Sequence, residues 1–152
     1  IHAGSDEALS ARIQKQNYNV IVVLGDGECN EGSIWESAMM ASSQKVGHLT
    51  AVIDYNKWQA TGRSQEILAL EPLALKWKAF GWHVQEVDGH NFVELSDAFG
   101  NARIEEAKPS VIIAHTIKGK GVSFMEDDNN WHYKTPNTEE LELALKEIGE
   151  IK

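Results

Sequence analysis

An aspartate flanked by two glycines follows an apolar, β-branched run. Asp26 stands in Gly25-Asp26-Gly27, directly after Val20-Ile21-Val22-Val23-Leu24, and a segment with helical periodicity comes next. At such a strand-to-helix junction, glycines let the backbone approach a ligand and the helix start offers unpaired N–H groups. Asp26 itself would repel a phosphate, but Mg²⁺, which takes oxygen ligands, would bridge the two anions. The stretch predicts metal-bridged phosphate binding and requires a second ligand elsewhere.

That second ligand is predicted at the ends of two later strands. Asn56 follows the next apolar run, and Lys118 and His132 follow a third one. In open α/β sheets, the loops after the carboxyl ends of the strands form the ligand-binding edge. A Gly-Asp-Gly alone is more often a turn than a metal site. The shared edge with Asn56 favours the metal site.

Four strands are predicted to position these residues, alternating with helices. The strands are residues 20–24, 48–54, 82–87 and 110–115. Helices are predicted over residues 33–46, from Pro72 through Phe80 with Gly81 as a left-handed stop, after an Asn91 cap, and after an Asn137–Glu140 capping box. Strands that alternate with helices predict an α/β fold with a doubly wound, mostly parallel sheet and helices on both faces.

The pattern also gives finer expectations about burial and boundaries. Residues 20–24 are expected to be buried on both faces, as in a parallel sheet. Residues 1–4 show no clear element, and Ser5 or Asp6 is expected to cap a short helix; residues 61–64 are expected to form a turn. The residues expected to face inward from the helix at 33–46 are Ile34, Trp35, Ala38, Met39 and Ser42. Those expected to face inward after Asn91 are Phe92, Val93, Leu95, Ala98, Phe99 and Ala102.

Length and composition limit the classes of protein. The 152 residues fit a single domain, and we expect residues 1–152 to be a partial one, because the chain opens in mid-helix just before its central strand. The formal net charge of −9 argues against a nucleic-acid or anionic-membrane surface. The single cysteine, Cys29, excludes an internal disulfide and fits a reducing compartment. With no membrane-length apolar run and no signal pattern, we expect a cytoplasmic protein.

Several separated stretches together resemble the thiamine-diphosphate-binding domain of transketolases. The family's diphosphate-and-metal motif is a Gly-Asp-Gly followed by an asparagine after the next strand, here Gly25-Asp26-Gly27 and Asp54-Tyr55-Asn56-Lys57. The resemblance covers about residues 18–150. Its other stretches are Glu31-Gly32, Trp35-Glu36, Leu70-Glu71-Pro72-Leu73, Val87-Asp88-Gly89-His90, Lys118-Gly119-Lys120-Gly121 and Trp131-His132.

The resemblance implies roles for individual residues. Asp26, the side-chain oxygen of Asn56 and the backbone carbonyl of Trp58 match Mg²⁺ ligands, in a site that would also accept Ca²⁺. The Gly27 N–H matches a diphosphate donor, and Lys118 and His132 match basic residues near the diphosphate and the reacting carbon. The implied cofactor-binding set is Gly25, Asp26, Gly27, Glu28, Asn56, Trp58, Lys118 and His132. The implied catalytic set is His132, Glu31 and Glu36, the two glutamates matching acidic residues at the family's subunit interface.

The implied activity is transfer of a two-carbon ketol unit between sugar phosphates, with thiamine diphosphate as cofactor. Residues 1–17 do not supply the family's glycine-rich phosphate loop and histidines, and Tyr133 stands where the family usually has glycine. The glutamate that activates the cofactor belongs to a separate pyrimidine-binding domain. We therefore expect the shortened first half of a split transketolase, inactive without a C-terminal, pyrimidine-binding partner subunit or domain.

Other interpretations stay open beside this one. A related thiamine-diphosphate enzyme, such as a deoxyxylulose-phosphate synthase or a 2-oxoacid dehydrogenase component, fits the cofactor motif. A non-catalytic, truncated domain that acts only in assembly fits the short front, and exposed apolar surface predicts a homo-oligomer. Glu31 and Glu36 would then be favourable charges at a helix start, and Lys118 a solvated loop charge. His132 would be a packed loop histidine, and Cys29 is expected to be a small loop residue.

Overall fold

The computed structural model describes residues 1–150, in which helices and strands alternate along the chain. The helices are α1 (His2–Ile13), α2 (Gly32–Ser43), α3 (Ser64–Ile67), α4 (Leu73–Ala79), α5 (Phe92–Ile104) and α6 (Thr138–Glu150). The strands are β1 (Val20–Gly25), β2 (Leu49–Tyr55), β3 (Trp58–Gln59), β4 (Gly62–Arg63), β5 (His83–Asp88) and β6 (Ser110–His115). Two 3₁₀ turns span Asp26–Asn30 and Asn129–His132.

Four parallel strands form the main sheet in the order β1-β2-β6-β5, and β3 and β4 form a short antiparallel hairpin. In the sheet, Gly25 is paired with Asp54, and Tyr55 with His115. Asp26 and Asn56 each stand one residue beyond their strand, so both lie at the same edge of the sheet. The predicted parallel α/β sheet is confirmed; its strand order could not be read from the sequence.

Helices cover both faces of this sheet, as predicted. Val84 packs against the core cluster on one face, to which α1, α2 and α4 contribute. Its neighbour Gln85 points to the other face, where its amide donates to the Ala98 carbonyl of α5 at 2.9 Å. Residues of the first face include Ala8, Ala38, Ala41, Leu49, Ala51, Ile53, Trp77, Val111 and Ile113. The core therefore lies mainly between the sheet and α1, α2 and α4.

The expected burial of residues 20–24 on both faces is wrong. Ile21 and Val23 are 54% and 69% exposed, whereas Val20 and Val22 pack against the core from the opposite face. β1 is an edge strand, and α5 packs on β5 and β6 instead. An apolar run cannot show whether a second layer lies over it, because both cases need the same residue types. One face of β1 is thus open in the described part of the chain.

Several smaller expectations are also wrong. α1 begins at His2, so Ser5, which is buried, and Asp6 lie inside the helix and do not cap it. Gly62–Arg63 forms β4 and Ser64 opens α3, so the turn falls earlier, at residues 60–61. Three residues expected to face inward are exposed: Met39, Phe92 and Val93.

The helix boundaries that rest on capping chemistry are confirmed. Asn91 accepts hydrogen bonds from the Val93 and Glu94 N–H groups at the start of α5. Asn137 and Glu140 exchange side-chain to backbone hydrogen bonds of 2.9 Å before α6. β6 has the predicted bounds and a buried interior. Of the helices in residues 1–150, none combines the length and the apolar character needed to cross a bilayer.

Candidate functional site

A cavity of about 410 Å³ opens at the carboxyl ends of β1 and β2. All of the predicted site residues line it except Glu36, which is exposed on α2. Gln59 and Ala60, at the turn of the β3–β4 hairpin, complete its lining and carried no signal in the sequence. The structure therefore brings together three loops, each of which follows a different strand. What the cavity binds depends on the chemical groups of the residues that line it.

Asp26 is the buried anion of this cavity, with only 1% of the residue exposed. Its Oδ2 accepts hydrogen bonds from the Lys57 N–H at 2.8 Å and the Ser64 hydroxyl at 2.9 Å. Burial raises the pKa of Asp26 above its usual value, against the effect of these hydrogen bonds, and nearby Asp54 raises it further. Both of these hydrogen-bond donors are neutral, so a cation beside Asp26 would stabilise its ionised carboxylate.

The loop after β1 is a tight 3₁₀ turn. The Glu28 carboxylate folds back to accept the Gly25 N–H at 2.6 Å, and the Trp35 indole donates to the Cys29 carbonyl at 2.8 Å. A Cβ added at Gly27 would lie 3.3 Å from Cγ of Gln59, so this position is closely packed. Glu28 therefore caps the turn, and a second carboxylate would not itself attract a diphosphate.

Asn56 follows β2 directly, and a left-handed residue, Lys57 at φ +68°, separates it from Trp58. The Trp58 N–H donates to Oδ1 of Asn56 at 2.9 Å, and the Asn56 amide donates to Asp54 at 3.3 Å. An amide oxygen has two lone pairs, so Oδ1 of Asn56 keeps one for a further partner. This oxygen and the Asp26 carboxylate face the same cavity.

The basic residues of the cavity come from the long segment after β6. Nζ of Lys118 lies 3.4 Å from Nδ1 of His132, whose ring contacts Tyr133 edge-on. Because an ammonium group only donates, a hydrogen bond at this contact uses Nδ1 as its acceptor and leaves Nε2 to carry the proton of a neutral imidazole. His90 anchors the start of the segment, since its Nε2 accepts the Ile117 N–H at 2.8 Å.

The remaining candidates lie at the rim or outside. Glu31 is exposed at the start of α2, where it lines the cavity and is 3.5 Å from the Ser33 hydroxyl. Cys29 is buried, and burial raises the pKa of its thiol to about 12. A thiol with so high a pKa is not a nucleophile at neutral pH, which supports its interpretation as a small loop residue.

The donor set fits a hard cation. Within residues 1–150, no three His, Cys, Asp or Glu side chains are grouped to hold a metal. A metal here would depend on the Asp26 carboxylate with neutral amide and peptide oxygens, which suit Mg²⁺ or Ca²⁺ rather than zinc or copper. In the described part of the chain, the hydrogen-bond donors to this buried carboxylate are neutral, and this is the observation that supports a cation site here.

We expect the Asp26→Asn variant to be more stable than the wild type without metal. The pKa of Asp26 is higher in the folded state than its ordinary value of 3.8, so protonation of Asp26 stabilises the fold. This contribution to stability is fully present below pH 3.8 and is lost as the pH rises through the folded pKa. Asparagine stays neutral, and its oxygen can accept both hydrogen bonds. Urea unfolding in chelator should show a gain of about 0.5–1 kcal/mol at pH 7 that shrinks towards pH 4.

The matched control for this experiment is Asp88→Asn, an exposed carboxylate at the end of β5. Asp88 accepts the His90 N–H at 2.9 Å and does not line the cavity. This variant should show no gain at pH 7. A metal-free Asp26→Asn protein that is less stable than the wild type would contradict the expectation.

Comparison with known proteins gives a consistent family. Residues 5–150 match the domain described as "Transketolase, thiamine diphosphate binding domain". The chain is 39% identical over 150 residues to one of the subunits of apulose-4-phosphate transketolase from Phocaeicola vulgatus, covering 99% of this chain and 53% of that protein. It is 45% identical over 141 residues to 6-deoxy-6-sulfo-D-fructose transketolase subunit SqwG of a Clostridium species, covering 93% of this chain and 51% of that one. The chain thus spans about half the length of these relatives.

A solved structure agrees with the fold. The crystal structure of transketolase from Campylobacter jejuni superposes with a TM-score of 0.90 at 23% identity, covering 96% of this chain and 24% of that one. At this level of identity the likeness shows the α/β fold alone.

Proposed function

Because the chain belongs to the transketolase family, through its thiamine-diphosphate-binding domain, we propose that it is the diphosphate- and metal-binding half of a transketolase. The reaction would move a two-carbon ketol unit between sugar phosphates. The observation that carries this proposal is the cavity beyond β1 and β2, where buried Asp26 faces the same space as Asn56 and Trp58. Two relatives carry a sugar phosphate and a sulfo-sugar in their names, and anionic sugars are the substrate class that we propose.

Three groups would hold the metal. We assign them to the Asp26 carboxylate, Oδ1 of Asn56 and the backbone carbonyl of Trp58, with Mg²⁺ as the expected ion and Ca²⁺ as a substitute. The Gly27 N–H would donate to the diphosphate, and Gly25 leaves room for it beside the turn that Glu28 caps. Bound thiamine diphosphate supplies the electron sink that carbon–carbon bond cleavage requires.

The basic residues would supply a positive charge and a hydrogen-bond donor at the open side of the cavity. Lys118 brings a positive charge to the diphosphate side, where the net-negative protein otherwise offers little attraction for an anion. His132, with its proton on Nε2, would donate a hydrogen bond to an oxygen at the reacting carbon. Its neighbour Tyr133 packs edge-on against the ring.

The acidic residues of α2 would serve the partner subunit. Glu31 lies at the rim of the cavity and Glu36 on the exposed side of the same helix, where a docking subunit could contact both. The pyrimidine-binding domain, which in the family carries the activating glutamate, would lie against this side. The cofactor would thus be held between two polypeptides.

Titration calorimetry of thiamine diphosphate tests this function. The wild-type chain should bind the cofactor in Mg²⁺ and should lose that binding in excess chelator, because the metal bridges the two anions. Thiamine without the diphosphate is the matched control ligand and should not bind in either buffer. Absence of binding in Mg²⁺, or equal binding in chelator, would overturn the proposed half-site.

We expect the isolated chain to have no ketol-transfer activity. It spans about half of relatives that are named as transketolase subunits, and the activating glutamate is expected on the other polypeptide. A coupled assay with a ketose phosphate donor and an aldose phosphate acceptor should show turnover only once the pyrimidine-binding partner is supplied. Turnover by the pure chain would contradict this prediction.

A second candidate function is assembly without catalysis, favoured by the open face of β1. Ile21 and Val23 are exposed there, and such surface is normally covered by a partner or another copy. We expect a dimer or larger species by light scattering at about 10–50 µM, a range chosen for typical interface affinities. A monodisperse monomer would contradict the homo-oligomer. Assembly combined with absent cofactor binding would favour this second candidate.

A further inference from the structure

A carboxylate outside the cavity is joined to the hairpin that carries Trp58. Asp127 accepts hydrogen bonds from both terminal guanidinium nitrogens of Arg63, at 2.7 and 2.5 Å, and from the Trp58 indole at 2.8 Å. The Arg63 guanidinium also stacks over the Trp58 ring, 3.7 Å from its centroid. Arg63 and Trp58 lower the pKa of Asp127 to about 2, so it is ionised at neutral pH. We call these three residues the Asp127 clamp.

The clamp joins two segments that are distant in sequence. Trp58 and Arg63 are paired across β3 and β4, two strands of only two residues each. So short a hairpin is marginally stable by itself and takes its position from what it packs against. Asp127 lies in the segment after β6, and its N–H donates to the Lys118 carbonyl at 2.8 Å. One residue therefore ties the hairpin to the backbone of Lys118.

The position of the hairpin decides where the proposed metal ligands lie. At its two ends, the Lys57 N–H and the Ser64 hydroxyl both donate to Oδ2 of Asp26, and the Ser64 N–H donates to the Lys57 carbonyl at 3.0 Å. Between them stands Trp58, whose peptide carbonyl is the third proposed ligand. A shift of the hairpin would therefore move the Trp58 carbonyl relative to the Asp26 carboxylate.

We infer that Asp127 is a positioning residue for the metal site, holding the Trp58 carbonyl at the distance that Mg²⁺ requires. The inference rests on the proposed function, because it assigns the geometry of the same site. Asp127 itself does not line the cavity and is not one of the three proposed metal ligands. Its effect passes through the Trp58 indole and the Arg63 guanidinium to the β3–β4 hairpin.

Mg²⁺ and Ca²⁺ differ in how strictly they require a fixed coordination geometry. Mg²⁺ demands near-ideal octahedral coordination at about 2.0–2.1 Å, whereas Ca²⁺ accepts about 2.3–2.6 Å in a flexible arrangement. A loosened Trp58 carbonyl should therefore weaken Mg²⁺ much more than Ca²⁺. General loss of folded protein would reduce the binding of both ions alike, so the ratio of the two affinities separates positioning from stability.

The experiment measures Mg²⁺ and Ca²⁺ separately by calorimetry, with chelator-stripped full chain and saturating thiamine diphosphate. Asp127→Asn keeps an oxygen for the Trp58 indole but removes the charge and one of the two guanidinium acceptors. We expect its Kd for Mg²⁺ to rise about tenfold, the usual scale for residues around a metal's own ligands, and its Kd for Ca²⁺ by less than about threefold. Arg63→Lys, which keeps the charge but not the two-pronged contact, should change the ratio in the same direction.

The matched control is Glu147→Gln. Glu147 also anchors the segment after β6, by accepting the Ser123 N–H and hydroxyl, but it does not touch the hairpin. Its ratio of Mg²⁺ to Ca²⁺ affinity should stay at the wild-type value. Unchanged affinities in Asp127→Asn, or equal weakening of both ions, would overturn the inference while leaving the proposed function intact. A wild-type chain that binds neither ion with the cofactor would overturn both.

Discussion

Replacing Asp26 by alanine is expected to weaken metal-dependent binding of thiamine diphosphate by at least about a hundredfold. Loss of a residue that only supports a metal ligand costs about 10–100-fold in metal affinity, and Asp26 is the proposed ligand itself. It is also the charged member of the proposed donor set, whose other two groups are a neutral amide and a peptide carbonyl. Without it, the metal that would offset the repulsion between the diphosphate and Glu28 or Asp54 would be held only by neutral oxygens.

Calorimetry with thiamine diphosphate in Mg²⁺ measures this loss, and two further variants make it specific. Asp26→Ala leaves the Lys57 N–H and the Ser64 hydroxyl without their acceptor, which could reduce stability as well. Asp26→Asn keeps an acceptor and should still lose most of the affinity. Asp88→Ala removes a carboxylate at the end of β5, outside the cavity, and should bind as the wild type does. Wild-type affinity in Asp26→Ala would remove Asp26 from the site.

A second large effect is expected in the core below the site. Trp77 of α4 is fully buried, with its ring centroid 5.2 Å from that of Trp35 and 4.8 Å from that of Trp82. Truncation to alanine leaves a large cavity, and we expect the free energy of unfolding to fall by about 3–5 kcal/mol. Domains of this size have about 5–15 kcal/mol in total, so Trp77→Ala should lower the urea midpoint substantially.

The same helix supplies the control for this measurement. Leu75 is 60% exposed, and Leu75→Ala should change the free energy of unfolding by less than about 0.5 kcal/mol. Trp77→Phe keeps most of the apolar volume and removes a buried indole N–H that has no hydrogen-bond partner among residues 1–150. It should therefore lie much closer to the wild type than Trp77→Ala. Equal midpoints for Trp77→Ala and Leu75→Ala would show that the aromatic cluster contributes little.

The fold could be predicted where local chemistry decides it. β6 has an apolar interior at residues 111–114, and Asn91 and Asn137 cap their helices by contacts within three residues, so these elements follow from the local sequence. Exposure of Ile21, Phe92 and Val93 could not be predicted. The same apolar residues occur on covered and on uncovered faces. Whether another layer covers them depends on how elements distant in sequence are arranged.

The candidate site divides in the same way. Asp26, Asn56 and Lys118 could be placed at one edge because each follows a strand of a parallel sheet, and the structure puts all three on one cavity. Asp127 carried no such signal, since it reads as one of several acidic loop residues and meets Arg63 only through tertiary packing. Glu36 lies outside the cavity. The direction of a side chain on a helix depends on the rotation of that helix against the sheet, which the sequence does not specify.

The position of β1 at the edge of the sheet has a thermodynamic consequence. The strand with the open face of Ile21 and Val23 is also the strand that ends at Gly25, beside Asp26. A partner that packs on this face would restrain the backbone leading into the proposed metal-binding turn, and would thereby change the affinity of the cavity for the cofactor. Linkage is reciprocal, so cofactor binding would strengthen the association with that partner by the same factor. Assembly and cofactor loading would then be two readouts of a single coupling free energy.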